Sequence, residues 1–259
     1  MTVPLLPSGY SPEFFFSRKR LASESAKAVL PWVIERTRPL SVVDVGCGTG
    51  SWLAEVRRAG IVDVLGLDGD WVPRKELEIP AENFKVADFT EPLNLGRRFD
   101  LVISLEVAEH LVADISDVFI AQLASLGDIV LFSGAIPHQG GTGHVNEQWP
   151  DYWISRFERE DFACVDCIRP TFWRDERVAF WYAQNSFLFV RQTELGKYPE
   201  LVAANGAESW SRLPIVHPAM LSSVYTALSD PGNYSIRGFL RVLPRLVMKR
   251  IRASSRKRT

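Results

Sequence analysis

The stretch VVDVGCGTGSW, residues 42–52, constrains this chain more than any other. A run of β-branched residues ends in glycines at alternate positions, Gly46, Gly48 and Gly50, and a helix-forming segment follows. Valine-rich runs without polar alternation suit a strand covered on both faces, as in a parallel sheet. Glycines at the turn let the backbone reverse sharply, and let a ligand lie against it where a Cβ would intrude. A strand, a glycine loop and a helix in this order belong to a parallel α/β sheet with its small-molecule site at the carboxyl edge of the strands.

The rest of the chain follows the same alternation. Residues 21–36 read as a helix that Pro31 is expected to kink or divide. Strands are expected at 41–46, 62–68, 84–88, 99–105, 128–134, 162–169 and 186–192. Helices are expected at 51–59, near 112–125 and at 149–160, with Gly60 and Gly127 as terminators of the first two. The last two strands return without a parallel crossover, which predicts a Rossmann-like, seven-stranded mixed sheet flanked by helices. The organisation read from this is one domain over 1–192 with an N-terminal helical cap, a surface wrap over 193–235 with weak periodicity, and a C-terminal helical extension over 236–259.

That extension is where charge becomes informative. The net charge is −1, yet residues 237–259 hold nine Lys or Arg and no acid, which leaves the remainder at −10. An acidic body makes nucleic acid an unfavoured partner. Arg237, Arg241, Arg245 and Lys249 share one helical face, and Leu240, Leu243, Val247 and Ile251 line another, with a kink expected at Pro244. Such a helix either docks on the acidic body or lies peripherally on an anionic membrane. The N-terminus lacks the basic and apolar regions of a signal peptide, and three cysteines make no disulfide framework, so a cytoplasmic location is expected. Cys164 and Cys167 form an isolated C-x-x-C, read as part of a strand and not as a metal or redox site.

The glycine spacing is G-x-G-x-G and not the G-x-G-x-x-G of dinucleotide enzymes, because Ser51 stands where the last glycine would be. Asp44 precedes it, Asp68 ends the second strand, Asp88-Phe89 follows the third, and RFDLVISLEVAEHL spans 98–111. In this order the motifs resemble those of class I S-adenosylmethionine-dependent methyltransferases over about residues 25–192. The resemblance implies that Gly46, Gly48 and Gly50 wrap the methionine part of S-adenosylmethionine, with Asp44 near its ammonium. It places Asp68 on the ribose hydroxyls, Asp88 on the adenine amino group, Phe89 against the ring, and Leu105 beside the cofactor.

Methyl transfer from a sulfonium needs alignment and, for a hydroxyl acceptor, a proton acceptor. Candidates lie after the fourth and fifth strands. PHQGGTGHVNEQWPDYW (137–153) is polar and glycine-rich, then aromatic; His144 and Glu147, with His110, are the candidate catalytic groups. Trp149, Tyr152 and Trp153 are read as a helical aromatic face suited to a sugar or phenolic acceptor. Glu106, Glu109 and His110, at i, i+3 and i+4 of a helix, would with His144 form a divalent-metal set. This resembles the metal site of small-RNA 2′-O-methyltransferases, from which the surrounding sequence departs. The reading is therefore an O-methyltransferase of a small molecule or glycan without an obligatory metal. A metal-assisted RNA 2′-O-methyltransferase and a non-catalytic S-adenosylmethionine sensor are the alternatives, and a nicotinamide oxidoreductase is the least favoured.

Overall fold

A computed structural model describes residues 12–205 and 214–229. The first compact unit runs to His217. Its strands are β1 (Ser41–Val45), β2 (Asp63–Asp68), β3 (Phe84–Val86), β4 (Leu101–Leu105), β5 (Ile129–Ser133), β6 (Phe162–Val165) and β7 (Phe187–Arg191). They form one sheet in the order β3-β2-β1-β4-β5-β7-β6. β7 is antiparallel to both β5 and β6, while the pairings from β3 to β5 are parallel. This is the expected Rossmann-like mixed sheet. Parallel strands joined by crossovers put helices on both faces, so side chains on both faces are buried.

The helices are α1 (Pro12–Thr37), α2 (Ser51–Arg58), α3 (Ser116–Leu126), α4 (Pro150–Arg159), α5 (Ile168–Phe172), α6 (Phe180–Asn185) and α7 (Pro199–Ala203). Val42, Leu101, Ile103 and Leu131 point into a core layer with residues of α1, α2, α5 and α6. Their sequence neighbours Val43, Val102, Val130 and Phe132 point the other way, into a layer under α3 and α4. The strand period of two therefore splits one apolar run between two cores. Phe119, Phe132, Phe157, Phe162 and Phe189 are fully buried, each contributing about 1.5–3 kcal/mol of transfer free energy.

Three expectations need correction. Pro31 does not divide the first helix, which continues to Thr37. Pro31 and Lys27 are both exposed, so the carbonyl that proline leaves without an N–H lies on the solvent side, where water can serve it. The segment 162–169 is not one strand: β6 stops at Val165, and Asp166 and Arg169 form a buried ion pair as the chain enters α5. Cys167 falls outside the strand, and burial pushes its thiol up to about 12, which makes it inert. The third strand ends at Val86, two residues before Asp88. The surface wrap begins with a 3₁₀ stretch at Gln192–Lys197 and then α7, whose Leu201 is fully buried.

The second unit, described by itself, contributes a helix over Pro218–Ser229. The basic segment 236–259, with its proposed amphipathic helix, lies outside the described residues. Among the described residues no helix is long and apolar enough to cross a membrane.

Candidate active site

The carboxyl ends of β1, β2, β4, β5 and β6 share one edge of the sheet, and the polar residues gather there. After β1 the chain turns through Gly46, Gly48 and Gly50, all in the left-handed region at φ +89°, +56° and +88°. Gly46 and Cys47 donate their N–H groups to the carbonyl of Leu67, which pins the loop to the end of β2. The two outer glycines are also sterically required. A Cβ on Gly46 would stand 2.2 Å from Val107, and one on Gly50 would stand 3.0 Å from Ile79. At Gly48 nothing lies within 4 Å. The loop therefore presents open space over Gly48, as a backbone that cradles a ligand must.

Two buried carboxylates lie beside this loop, and the charges of both act on Cys47. Asp44, in mid-strand between Gly66 and Ile103, is buried. Burial first, and the charge of Asp68 second, hold its carboxyl well above the usual range. Asp68 accepts the N–H groups of Gly48 and Gly69, both at 2.7 Å, and a bond from Trp71. Burial still raises it, against those three bonds. The Trp71 ring covers Gly69, where a Cβ would come within 2.1 Å of it. A pair of acids forced together in low dielectric is resolved by a cation.

Leu105 ends β4 and is buried at this edge. Asp88 is exposed, and one of its oxygens accepts the N–H and hydroxyl of Thr90. Phe89 is buried, its ring 6.0 Å from that of Phe119 in the core layer beneath α3.

The segment after β4 departs from the sequence expectation. Glu106 adopts φ +56°, and only Ala108–His110 form a 3₁₀ turn, so no helix carries Glu106, Glu109 and His110 on one face. Left-handed backbone at a non-glycine residue costs roughly 1–2 kcal/mol, and here it interrupts the helical spacing between Glu106 and the other two. Its carboxylate accepts from Ser133 Oγ at 2.8 Å, Gln139 Nε2 at 2.7 Å and Asn185 Nδ2 at 3.1 Å. Burial holds this carboxyl above its ordinary range in spite of those bonds.

Glu109, His110 and His144 do come together, with one donor atom from each within 4.8 Å of the others. The Glu109 carbonyl accepts from Val145 and Asn146, which ties the 137–147 loop onto the 3₁₀ turn. The His110 and His144 rings meet edge to face at 4.9 Å. His144 Nδ1 lies 2.9 Å from Glu147 Oε1, and its Nε2 lies 3.9 Å from Glu109 Oε1. Glu147 also accepts the N–H groups of His138 and Gly140, so it is the staple of the loop. A Cβ at Gly141 would be 2.1 Å from His144 Nε2, so the imidazole lies directly over that glycine.

A family model described as a methyltransferase domain matches residues 16–165, more than half of the chain. This chain belongs to the methyltransferase domain family. No curated protein matches its sequence. Solved structures of similar fold include the sugar N-methyltransferase KedS8 from a Streptoalloteichus species, with TM-score 0.55 and 17% identity, covering 74% of this chain and 99% of that one. Streptomyces venezuelae DesVI gives 0.52 and 16%, covering 69% and 95%. The amino pentose methyltransferase CalS10 from Micromonospora echinaspora, involved in calicheamicin biosynthesis, gives 0.51 and 16%, covering 71% and 98%. At these identities the likeness is one of fold.

Within this methyltransferase domain the aromatic face expected on α4 is divided. Trp153 is buried against Phe132. Tyr152 donates its hydroxyl to Ser116 and carries the Arg156 guanidinium 3.4 Å above its ring. Trp149 alone of the three is exposed. The residues that sequence reasoning missed are amides and hydroxyls: Ser133, Gln139, Gln184 and Asn185, which form a buried network around Glu106. Nothing in their spacing marks them, because three different segments supply them: the end of β5, the loop after it and α6.

Proposed function

We propose that this methyltransferase moves the methyl group of S-adenosylmethionine to a hydroxyl of a small molecule or glycan. The observation that carries the reading is the charge arrangement around the glycine loop: two buried acids act on each other beside a loop that is open over Gly48, where a ligand bearing an ammonium and a sulfonium relieves their repulsion. When bound, S-adenosylmethionine supplies an electrophilic methyl carbon and a sulfur leaving group. In this assignment Gly46, Gly48 and Gly50 admit the methionine part, Asp44 meets the ammonium, and Asp68 accepts from the ribose. Asp88, Phe89 and Leu105 border the adenosine. Asp68→Ala is expected to weaken S-adenosylmethionine binding by about 1.5–3 kcal/mol, as for a lost hydrogen bond to a charged group; an unchanged dissociation constant in calorimetry removes the ribose assignment.

On the acceptor side His144 is the proposed proton acceptor. Glu147 fixes its Nδ1, which leaves Nε2 to take the hydroxyl proton as the new C–O bond forms and the C–S bond breaks. Glu109 then faces the imidazolium, and the His110 ring packs against it edge to face. Two of the fold relatives are named for sugar methylation, which agrees with an acceptor rich in hydroxyl or amino groups. Incubation with label in the donor methyl and with polysaccharide or metabolite fractions tests the reading. Labelled product supports it, whereas tight cofactor binding with no product from any fraction favours a sensor.

The proximity of Glu109, His110 and His144 supports a second reading in which these three hold a divalent ion. Their mixed oxygen and imidazole donors suit Mn²⁺ or Zn²⁺ better than Mg²⁺, and Glu106 is not among them. Activity that disappears on chelation and returns with Mn²⁺ is the outcome expected of a metal; full activity after exhaustive chelation dismisses it.

A further inference from the structure

The first N–H groups of an α-helix have no partner in their own helix and attract anions. In dinucleotide enzymes a pyrophosphate takes that place over the glycine loop. Here a carboxylate of the chain itself stands beside the start of α2. Glu78, from the connection between β2 and β3, accepts through Oε1 from Thr49 Oγ1 at 3.1 Å and from Ser51 Oγ. Its N–H donates to the Thr49 carbonyl at 2.8 Å. Thr49 belongs to the glycine loop and Ser51 is the first residue of α2, so side chain and backbone together clasp the loop-to-helix junction. Ile79, the next residue, is buried against Gly50, which fixes the approach of Glu78 from a second direction. Ser51, which replaces the last glycine of the dinucleotide pattern, is one of the two residues whose hydroxyls Glu78 engages.

We propose that Glu78 sets the charge selectivity of the cofactor loop, keeping the diphosphate of nucleotides away from the α2 N-terminus and adding negative potential beside a cationic cofactor. The inference rests on the S-adenosylmethionine reading. Without Glu78, an acid at the end of β2 and a glycine loop opening a helix would be the ingredients of a nucleotide diphosphate site. With it, the like charge opposes a diphosphate at that point, and the sulfonium and ammonium are favoured.

Calorimetry on the full chain tests this with adenosine, adenosine 5′-diphosphate, S-adenosylmethionine and its uncharged-sulfur product. In the wild type, adenosine 5′-diphosphate is expected to bind more weakly than adenosine; tighter binding of the diphosphate overturns the proposal without any mutation. In Glu78→Gln the preference for S-adenosylmethionine over adenosine 5′-diphosphate is expected to fall about tenfold or more. The product should lose less affinity than the cofactor, and Glu78→Asp, which keeps the charge, should retain most of the preference. If Glu78 were only a structural clasp, both ligands would weaken together in Glu78→Gln and their ratio would stay within about twofold, which refutes charge selection. Failure of the wild type to bind S-adenosylmethionine at all would instead refute the cofactor assignment, a result separable from the adenosine comparison.

Discussion

Replacing His144 by alanine is expected to lower methyl transfer by about a hundredfold or more, the usual scale for a lost general base, while leaving the S-adenosylmethionine dissociation constant unchanged. The split follows from geometry. His144 sits on the loop after β5 and reaches Glu109 and Glu147, whereas the glycine loop is fixed by Leu67, Asp68 and Glu78. The two sets share none of these bonds, so removing the imidazole does not reach the glycine loop. Single-turnover rates measured with saturating cofactor, beside a binding isotherm, separate the two quantities. Turnover near wild type with a proven acceptor would return His144 to the role of a loop-packing residue over Gly141. Glu147→Gln is informative beside it, since that change keeps the size of the staple and removes the charge facing Nδ1.

Asp44→Asn is expected to act in opposite directions on stability and on binding. Burial, and then Asp68, hold the Asp44 carboxyl above its ordinary value of 3.8. The folded chain therefore binds a proton that the unfolded chain releases, and by linkage this contribution to stability is full below that value and lost as pH rises through the raised one. Asparagine removes the titration. The variant without cofactor should melt higher than wild type near neutral pH, and the advantage should vanish as pH falls toward 4. Affinity for S-adenosylmethionine should drop by about 1.5–3 kcal/mol, the range for losing a charge-assisted bond. In the wild type, the same pair of acids should make cofactor binding weaken on acidification and release protons, detectable by calorimetry in buffers of different ionisation enthalpy. A variant that is less stable at neutral pH and binds cofactor normally would show that Asp44 is a structural acid alone.

Much of the geometry around the glycine loop was legible in the sequence because its parts are local. Gly46, Gly48 and Gly50 are demanded by positive φ over five residues, and Asp44 and Asp68 stand at positions that follow from strand length alone. The proposed acceptor side was legible only in part. His144 and Glu147 are three residues apart in one loop, and their pairing is a short-range event that the cluster of polar residues signalled. Glu106 was misplaced because a helical spacing rule was applied where the chain first passes through a left-handed residue. Trp153 looked like a pocket wall and is core, since α4 turns that face onto Phe132.

By itself the sequence determined what backbone sterics and strand or helix periodicity impose: a parallel α/β core, a glycine loop at one edge, and acids beside it. Each of these depends on residues close in the chain, where φ, Cβ clashes and side-chain period act directly. Only the tertiary structure decided which polar groups meet. Glu78 reaches Thr49 and Ser51 across 29 and 27 residues, and Asn185 reaches Glu106 across 79. Such contacts are set by strand order and by the antiparallel insertion of β7 between β5 and β6, which brings the end of α6 to the edge where β4 and β5 finish. Hydrogen bonds between groups that far apart leave no period in the sequence, because the geometry that makes them favourable exists only once the sheet has formed.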